Sequence, residues 1–358
     1  MENIDDILRR AVTLGASDIH LKVGSAPIIR VEGDLRHSGE SGPLMPADTD
    51  AYARAIFTAK AESDFEAKGV ADFAYGKQDL GRFRVTAFRQ RGSVSLVLRR
   101  VVSGSKTFAE LGLPRIIEKV ASAKQGLVLV TGSSGSGKTT TVSSIIDWIN
   151  SNRATAILTV EDPIEVLHPD KSSVVVQREV GVDTPDMASA VRSAMRHDAD
   201  VIMISELSDH DTAKAAIDAS ETGHLVISTM RTTDPAETVS RLISMFPESH
   251  KAVVRNQLAT QLQAVVSQVL VETANGGRVM ACEVLTSNER AQEWVMAGEE
   301  ASALVDIIKE SSFHGMQTFD QALLKHVVDR TVEIGVILPH VRNSHEVRAK
   351  AMAAGIAT

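Results

Sequence analysis

The sequence predicts an α/β fold, a parallel sheet layered with helices, preceded by a smaller α+β domain. Three observations carry this expectation. Leu127 to Val130, Ala156 to Val160, Val201 to Ile204 and Leu225 to Ser228 are short continuous apolar runs, the pattern of parallel strands buried on both faces. Helical spacing falls between them, with Val142, Ile145, Ile146 and Ile149 in one segment and Met187, Val191, Ala194 and Met195 in another. The first run leads into Gly132-Ser133-Ser134-Gly135-Ser136-Gly137-Lys138-Thr139, which satisfies G-x-x-x-x-G-K-[ST] in the strand–turn–helix setting that this motif needs.

The elements follow in order. Ile4, Ile7, Leu8, Ala11 and Val12 share one helical face. Ile19, Leu21 and Val23 alternate as a strand, as do Ile29 and Val31, with Glu32-Gly33-Asp34 as the turn onward. Gly81 to Arg89 and Ser93 to Arg99 read as a hairpin around Arg91-Gly92. The polar stretch from Ser103 to Thr107, followed by Leu111-Gly112-Leu113-Pro114, marks a boundary, giving domains over 1–102 and 113–358 and a linker over 103–112. Beyond it, Asp234-Pro235-Ala236-Glu237 opens a helix, with Asp as N-cap, Pro at the first position and Glu at the third. Val254, Leu258, Leu262, Val265 and Val266 predict one long helix after that, and Val279 to Leu285 a strand.

Composition narrows the function classes. The 358-residue chain is 43% hydrophobic and 23% charged, ordinary for a globular protein of two domains. A net charge of −8, with no strongly basic run and no aromatic stacking platform, argues against nucleic acid as a partner. No apolar run approaches the ~18 residues of a membrane span, so no membrane insertion is expected. The acidic start, Glu2-Asn3-Ile4-Asp5-Asp6, is unlike a signal peptide. Cys282 is the single cysteine, expected to be buried and inert, and its solitude suits a reducing, cytoplasmic setting.

The glycine-rich loop predicts binding of ATP or a related nucleoside triphosphate. Gly132, Gly135 and Gly137 let backbone amides turn toward phosphates, the following helix adds its positive N-terminus, and Lys138 reaches the β- and γ-phosphates. Ser133, Ser134, Ser136 and Thr140 complete the nucleotide-binding set, and Thr139 would hold Mg2+ through its hydroxyl. Hydrolysis also needs carboxylates at the carboxyl ends of neighbouring strands. Glu206, closing Val201-Ile202-Met203-Ile204-Ser205, fits a second metal ligand. Glu161, closing Thr159-Val160 before Asp162-Pro163-Ile164-Glu165, fits the group that polarises water. His224 stands at the entry of an apolar strand and is a further candidate, with a structural role as its alternative. In the N-terminal hairpin, period-two geometry puts Arg82, Arg84 and Arg99 opposite the apolar residues. They form either a solvated basic face or arginine fingers that reach a phosphate on this chain or a neighbour.

Taken together these segments resemble the secretion-ATPase superfamily and, within it, the type IV pilus retraction ATPases. The matching stretches are Ser17-Asp18-Ile19-His20-Leu21, Gly81-Arg82-Phe83-Arg84-Val85, Leu111-Gly112-Leu113-Pro114, the phosphate loop, Val160 to Glu165, Gln177-Arg178-Glu179-Val180-Gly181, Val266-Ser267-Gln268 and Gly315-Met316-Gln317-Thr318-Phe319-Asp320-Gln321. The resemblance implies a PAS-like N-terminal domain, a RecA-like ATPase domain with a helical C-terminal part, and a homohexameric ring. It also implies catalytic roles for Glu161 and Glu206, with the arginines of the first domain on bound phosphate. The ring would work in the cytoplasm, docked at the inner membrane, turning a platform protein there.

Three stretches depart from the family pattern. The metal-side strand usually ends G-E-[LM]-R-D, and here reads Ser205-Glu206-Leu207-Ser208-Asp209. The run usually written S-T-L-H-T is Ser228-Thr229-Met230-Arg231-Thr232, so arginine replaces a histidine that the resemblance places beside the γ-phosphate. A guanidinium there is expected to clamp phosphate. A helical motif tied to retraction is only echoed, by Ala303 to Glu310. These changes keep open a second reading, an ATP-binding accessory paralogue that assembles with an active pilus motor.

Overall fold

The computed structural model describes residues 2–31, 33–39, 42–298 and 300–356. They form two compact units, Met1–Ser103 with Glu165–Leu167, and Gly104–Ile164 with His168–Thr358. In chain order the first unit contains α1 (Ile4–Thr13), β1 (Asp18–Leu21), β2 (Ile28–Val31), β3 (Asp34–His37), α2 (Pro46–Ile56), α3 (Ala59–Lys68), β4 (Val70–Lys77), β5 (Gly81–Gln90), β6 (Ser93–Arg100) and β7 (Val102–Ser103). The chain continues through α4 (Ile116–Ala121), β8 (Gly126–Thr131), α5 (Lys138–Asn152), β9 (Ala156–Glu161), β10 (Val166–Leu167), β11 (Val174–Glu179), α6 (Met187–Ala194), β12 (Val201–Ile204), α7 (His210–Glu221) and β13 (Leu225–Met230). It ends with α8 (Pro235–Ser244), α9 (Glu248–Gln261), β14 (Leu262–Glu272), β15 (Arg278–Thr286), α10 (Glu289–Ala297), α11 (Ala301–Glu310), α12 (Phe319–Val328), α13 (Ile334–Ile337) and α14 (Ser344–Ala353).

The first unit is an antiparallel sheet in the order β3-β2-β1-β6-β5-β4. Its apolar face carries Ile19, Ile29, Phe83, Val85, Leu96 and Leu98, which bury against Ile7 and Leu8 of α1, Tyr52 and Ile56 of α2 and Phe65 of α3. The β5–β6 hairpin turns at Arg91 (φ 51°) and Gly92 (φ 79°), two positive φ values in a row, as a two-residue turn between twisted strands requires. In the predicted turn after β2, Gly33 also has positive φ, at 95°, while Glu32 lies outside the described residues. The short strands β7 and β10 pair in parallel as a separate two-stranded sheet. The helices α2 and α3 and the strand β4 carried no signal that was read from the sequence.

The second unit is a seven-stranded sheet, β11-β9-β12-β13-β8-β14-β15, parallel throughout except for the edge strand β15. Side chains alternate between two cores. Val128, Val130, Ile157, Met203 and Ile227 pack against α4 and α5. Leu127, Leu129, Leu158, Ile202, Ile204 and Val226 pack against the layer that holds α6, α7, α8 and α9. Helices thus cover both faces, which is why the strands read as uninterrupted apolar runs. Residues 104–112 of the expected linker belong to this unit, with Phe108 buried in its core and stacked on Trp148 at 6.1 Å.

One element differs from expectation. The helix that begins at Glu248 stops at Gln261, and Leu262, Val265 and Val266 belong to β14. Their spacing suits a helix, but 262–272 is rich in valine. Packing between β8 and β15 supplies ladder partners on both sides and overrides the helical period. The predicted strand around Cys282 is β15, and burial pushes its thiol up to about 12.

Candidate nucleotide site

The phosphate loop joins the buried strand β8 to α5. Gly132 has φ 146°, and a Cβ there would stand 2.4 Å from Gln268 O and 2.5 Å from Ser136 Oγ. Gly137 caps α5 in the left-handed region at φ 91°. The first helical amide bond runs from Thr141 N to Gly137 O at 3.0 Å, so the amides of Lys138, Thr139 and Thr140 have no acceptor within the helix. Ser136 Oγ is buried with no hydrogen-bond partner among the described residues. An orphaned hydroxyl, unpaired first-turn amides and a glycine with no room for a side chain together fit a cradle for phosphate.

Gln268 on β14 braces this loop. Its Nε2 donates to Ser136 O at 2.7 Å from a fully buried position, while Thr131 and Ser267 join β8 to β14 through hydroxyls 2.8 Å apart. Gln268 lies in a stretch that matches the family pattern, but its contact with the loop depends on the strand β14, which the helical spacing of Leu262, Val265 and Val266 conceals. The cluster of valines at 265, 266, 269 and 271 was the available signal.

Lys138 Nζ donates to Gly132 O at 2.7 Å and Ser133 O at 2.9 Å, bending its side chain back over the loop. Burial holds its ammonium below the ordinary lysine range; Glu206 opposes that shift and Arg231 adds to it. Thr139 and Thr140 are exposed at the start of α5, as are Ser133, Ser134 and Gly135 in the loop.

The carboxylates lie at the same edge of the sheet. Strand β9 delivers Glu161 to a buried position, 4% exposed, where Oε1 accepts from Thr159 Oγ1 at 2.7 Å and Gln177 Nε2 at 2.9 Å. Gln177 is itself held, accepting from His168 N at 2.9 Å. Thr159 and Gln177 therefore fix the carboxylate in place. Neither was assigned this task from sequence. Glu206 follows β12, whose end is tied to its neighbours by Ser205 N to Val160 O (2.9 Å), Leu207 N to Thr229 O (2.9 Å) and Thr229 Oγ1 to Ser205 O (2.6 Å).

One expectation is corrected here. His224 precedes β13, and Leu225 pairs with Gly126 at the opening of β8, whereas the phosphate loop leaves the other end of that strand. At ~3.3 Å per residue His224 is about 20 Å along the strand from Met230. Its Nδ1 lies 3.0 Å from Ala219 O and 3.1 Å from Thr222 Oγ1, so it closes the α7–β13 turn. The apolar strand after it made its position look functional, but it is the entry end, not the ligand end. Arg231 is at the correct edge, yet its guanidinium is forked onto Glu206, with Nε 2.7 Å from Oε1 and a terminal nitrogen 2.9 Å from Oε2.

The donor set at this edge suits Mg2+, since Thr139 and Glu206 offer hard oxygens and a bound nucleotide would supply more. Among the described residues, no group of three or more His, Cys, Asp or Glu side chains could hold a metal ion.

In the first unit, Arg84 and Arg99 are directly opposite each other on β5 and β6. Arg99 Nε donates to Asp18 Oδ1 at 2.7 Å. Burial raises the Asp18 carboxyl, but hydrogen bonds from Arg99 and Ser17 outweigh it and leave the group below the usual carboxylate range. Arg84 is exposed, and its side chain makes no hydrogen bond or ion pair with the other described residues. Arg82 is half-buried two residues earlier on the same face.

Comparison with known proteins agrees with this geometry. The type IV pilus retraction ATPase PilT of Pseudomonas aeruginosa is 39% identical over 90% of this chain and 93% of its own length. The type IV pilus ATPase PilU of the same organism is 35% identical over 96% of this chain and 90% of its own. A crystal structure of the pilus retraction motor PilT with bound ADP superposes with a TM-score of 0.88 at 37% identity, covering 98% of this chain and all of that one. The family model of type II/IV secretion system proteins matches residues 74–334. With its phosphate loop, its parallel sheet and its end-to-end similarity to these ATPases, the chain belongs to the type II/IV secretion system protein family.

Proposed function

We propose that this chain is an ATP-hydrolysing motor of type IV pilus retraction, working as a homohexameric ring in the cytoplasm at the inner membrane. The observation that carries the reading is the row of Lys138, Thr139, Glu161 and Glu206 along one carboxyl edge of a single parallel sheet. The similarity to PilT over nine-tenths of the chain supports it. In this mechanism the amides from Gly135 to Thr140 and the Lys138 ammonium bind the β- and γ-phosphates. Thr139 and Glu206 hold Mg2+, whose chemistry is to neutralise charge on the transferred phosphoryl group. Glu161, held in place by Thr159 and Gln177, orients water and takes its proton. Arg82, Arg84 and Arg99 supply positive charge to a phosphate on this chain or on a neighbour. Phosphate loss would then turn an inner-membrane platform protein. A sheet end also carries the second reading: both oxygens of Glu206 are engaged by Arg231, which suits a slow subunit that assembles with an active paralogous pilus ATPase. Steady-state ATPase assays separate the two. The motor reading expects turnover that Lys138→Ala lowers at least ~100-fold, the scale of losing a charged phosphate ligand. Parental turnover in Lys138→Ala rejects the site, and a parent with no turnover leaves the accessory reading.

A further inference from the structure

The pairing of Arg231 with Glu206 has a consequence that phosphoryl transfer does not require. The contact is bidentate, the stronger of the geometries open to an arginine and a carboxylate. It also has a firm base, because the Thr229–Ser205 and Leu207–Thr229 hydrogen bonds lock together the strand ends from which the two side chains emerge. The two groups differ in freedom: the Glu206 side chain is 29% exposed and the Arg231 side chain 69%. Arginine cannot leave such a pair by losing its proton. A carboxylate whose two oxygens each accept from one guanidinium has half of its lone-pair sites taken and its charge largely balanced, so it is a weaker ligand for a divalent cation. A cation arriving there also meets a fixed positive charge.

We propose that Arg231 is an internal competitor of Mg2+ for Glu206, and that it thereby sets how strongly nucleotide binding in this chain depends on the metal. The inference rests on reading the loop as a nucleotide site and adds a determinant to it. Displaced from Glu206, the exposed guanidinium remains beside Lys138 as a second cation for phosphate. Metal-free nucleotide gains from that charge, while the metal must first break the fork. Both effects shrink the benefit that Mg2+ brings to nucleotide affinity.

The test is calorimetric binding of ADP to the full-length protein, once with Mg2+ and once with EDTA. The parent should show a gain from Mg2+ of less than about threefold. Arg231→Gln, a change at an exposed side chain, should enlarge that gain at least about fivefold, on the order expected for removing one charge near a divalent ion. Arg231→Lys keeps the charge without the fork and should fall between. In a Glu206→Gln background, Arg231→Gln should enlarge the gain by less than it does with Glu206 present, since the contested ligand is absent and only the phosphate effect is left. A gain in Arg231→Gln equal to or below the parental one overturns the proposal while Lys138-dependent ADP binding stands. Loss of ADP binding in the parent under both conditions, or undiminished binding in Lys138→Ala, rejects the nucleotide site and the proposal with it.

Discussion

At the scale of single residues, the site works through side chains held by others. Glu161 is the clearest case. It is buried at the end of β9, and one of its oxygens accepts from both Thr159 and Gln177. The two donors fix the direction in which the carboxylate faces, which is what orienting a water molecule needs. Glu161→Gln keeps the size and removes the charge. We expect at least a tenfold fall in kcat, with ADP affinity within about threefold of the parent, as fits an interaction used mainly in the transition state. Single-turnover hydrolysis beside calorimetric ADP binding checks both halves. Unchanged turnover in this variant, with Glu206→Gln inactive, would exchange the two carboxylate roles. Lys138, Thr139, Glu161 and Glu206 were legible in the sequence because each follows directly from a motif or a strand end. Thr159, Gln177 and Gln268 were not, because their partners lie in other strands and only the sheet order brings them together. The position of His224 failed for a related reason: an apolar run marks a strand but not which of its ends faces a ligand.

At the scale of elements, the chain was readable wherever period and burial agreed. The strands β8, β9, β12 and β13 are buried on both faces, so their composition is uniform and their limits were found within two residues. The strand β14 failed because an amphipathic helix runs into it without a break, and only the ladder to β8 and β15 decides its state. In the first unit, the hairpin β5–β6 was fixed by its turn residues, but its basic face hides a structural task. Arg84 and Arg99 sit opposite each other, an unfavourable pairing of like charges, and Asp18 beside Arg99 relieves it. The Asp18 carboxyl lies below its ordinary value of 3.8, so the folded unit releases this proton more readily than the unfolded chain. Its stabilisation is therefore present above the unfolded value and is lost as pH falls through the folded one. Arg99 remains largely exposed, so the pair contributes only about 1 kcal/mol or less. Arg99→Ala should narrow the acid stability range, with urea midpoints close to the parent's when both proteins are already acid-destabilised and lower than the parent's at neutral pH. An equal loss at every pH would show that Asp18 is not the partner that matters.

At the scale of the whole molecule, the distribution of charge argues for assembly. The chain carries a net charge of −8, yet Arg82, Arg84 and Arg99 share one face of the first unit. Arg99 has Asp18, while Arg84 has no partner among the described residues, although an exposed, unpaired arginine opposite another is costly to keep without a ligand. A phosphate held on another copy would be such a ligand, and it would make the ring a condition of activity. Six 38.4 kDa chains should therefore travel together in light scattering when nucleotide is present. The sharper test mixes two inactive variants. Lys138→Ala lacks a nucleotide site but keeps its arginines, and Arg84→Ala has the reverse defect. If the arginine serves a neighbour, mixed rings contain interfaces with one intact half from each variant, and ATPase activity reappears on mixing. If it serves its own chain, every site in the mixture is defective and activity stays at the sum of the two. A monodisperse monomer with full turnover would remove the need for either arrangement and leave Arg84 as part of a solvated face.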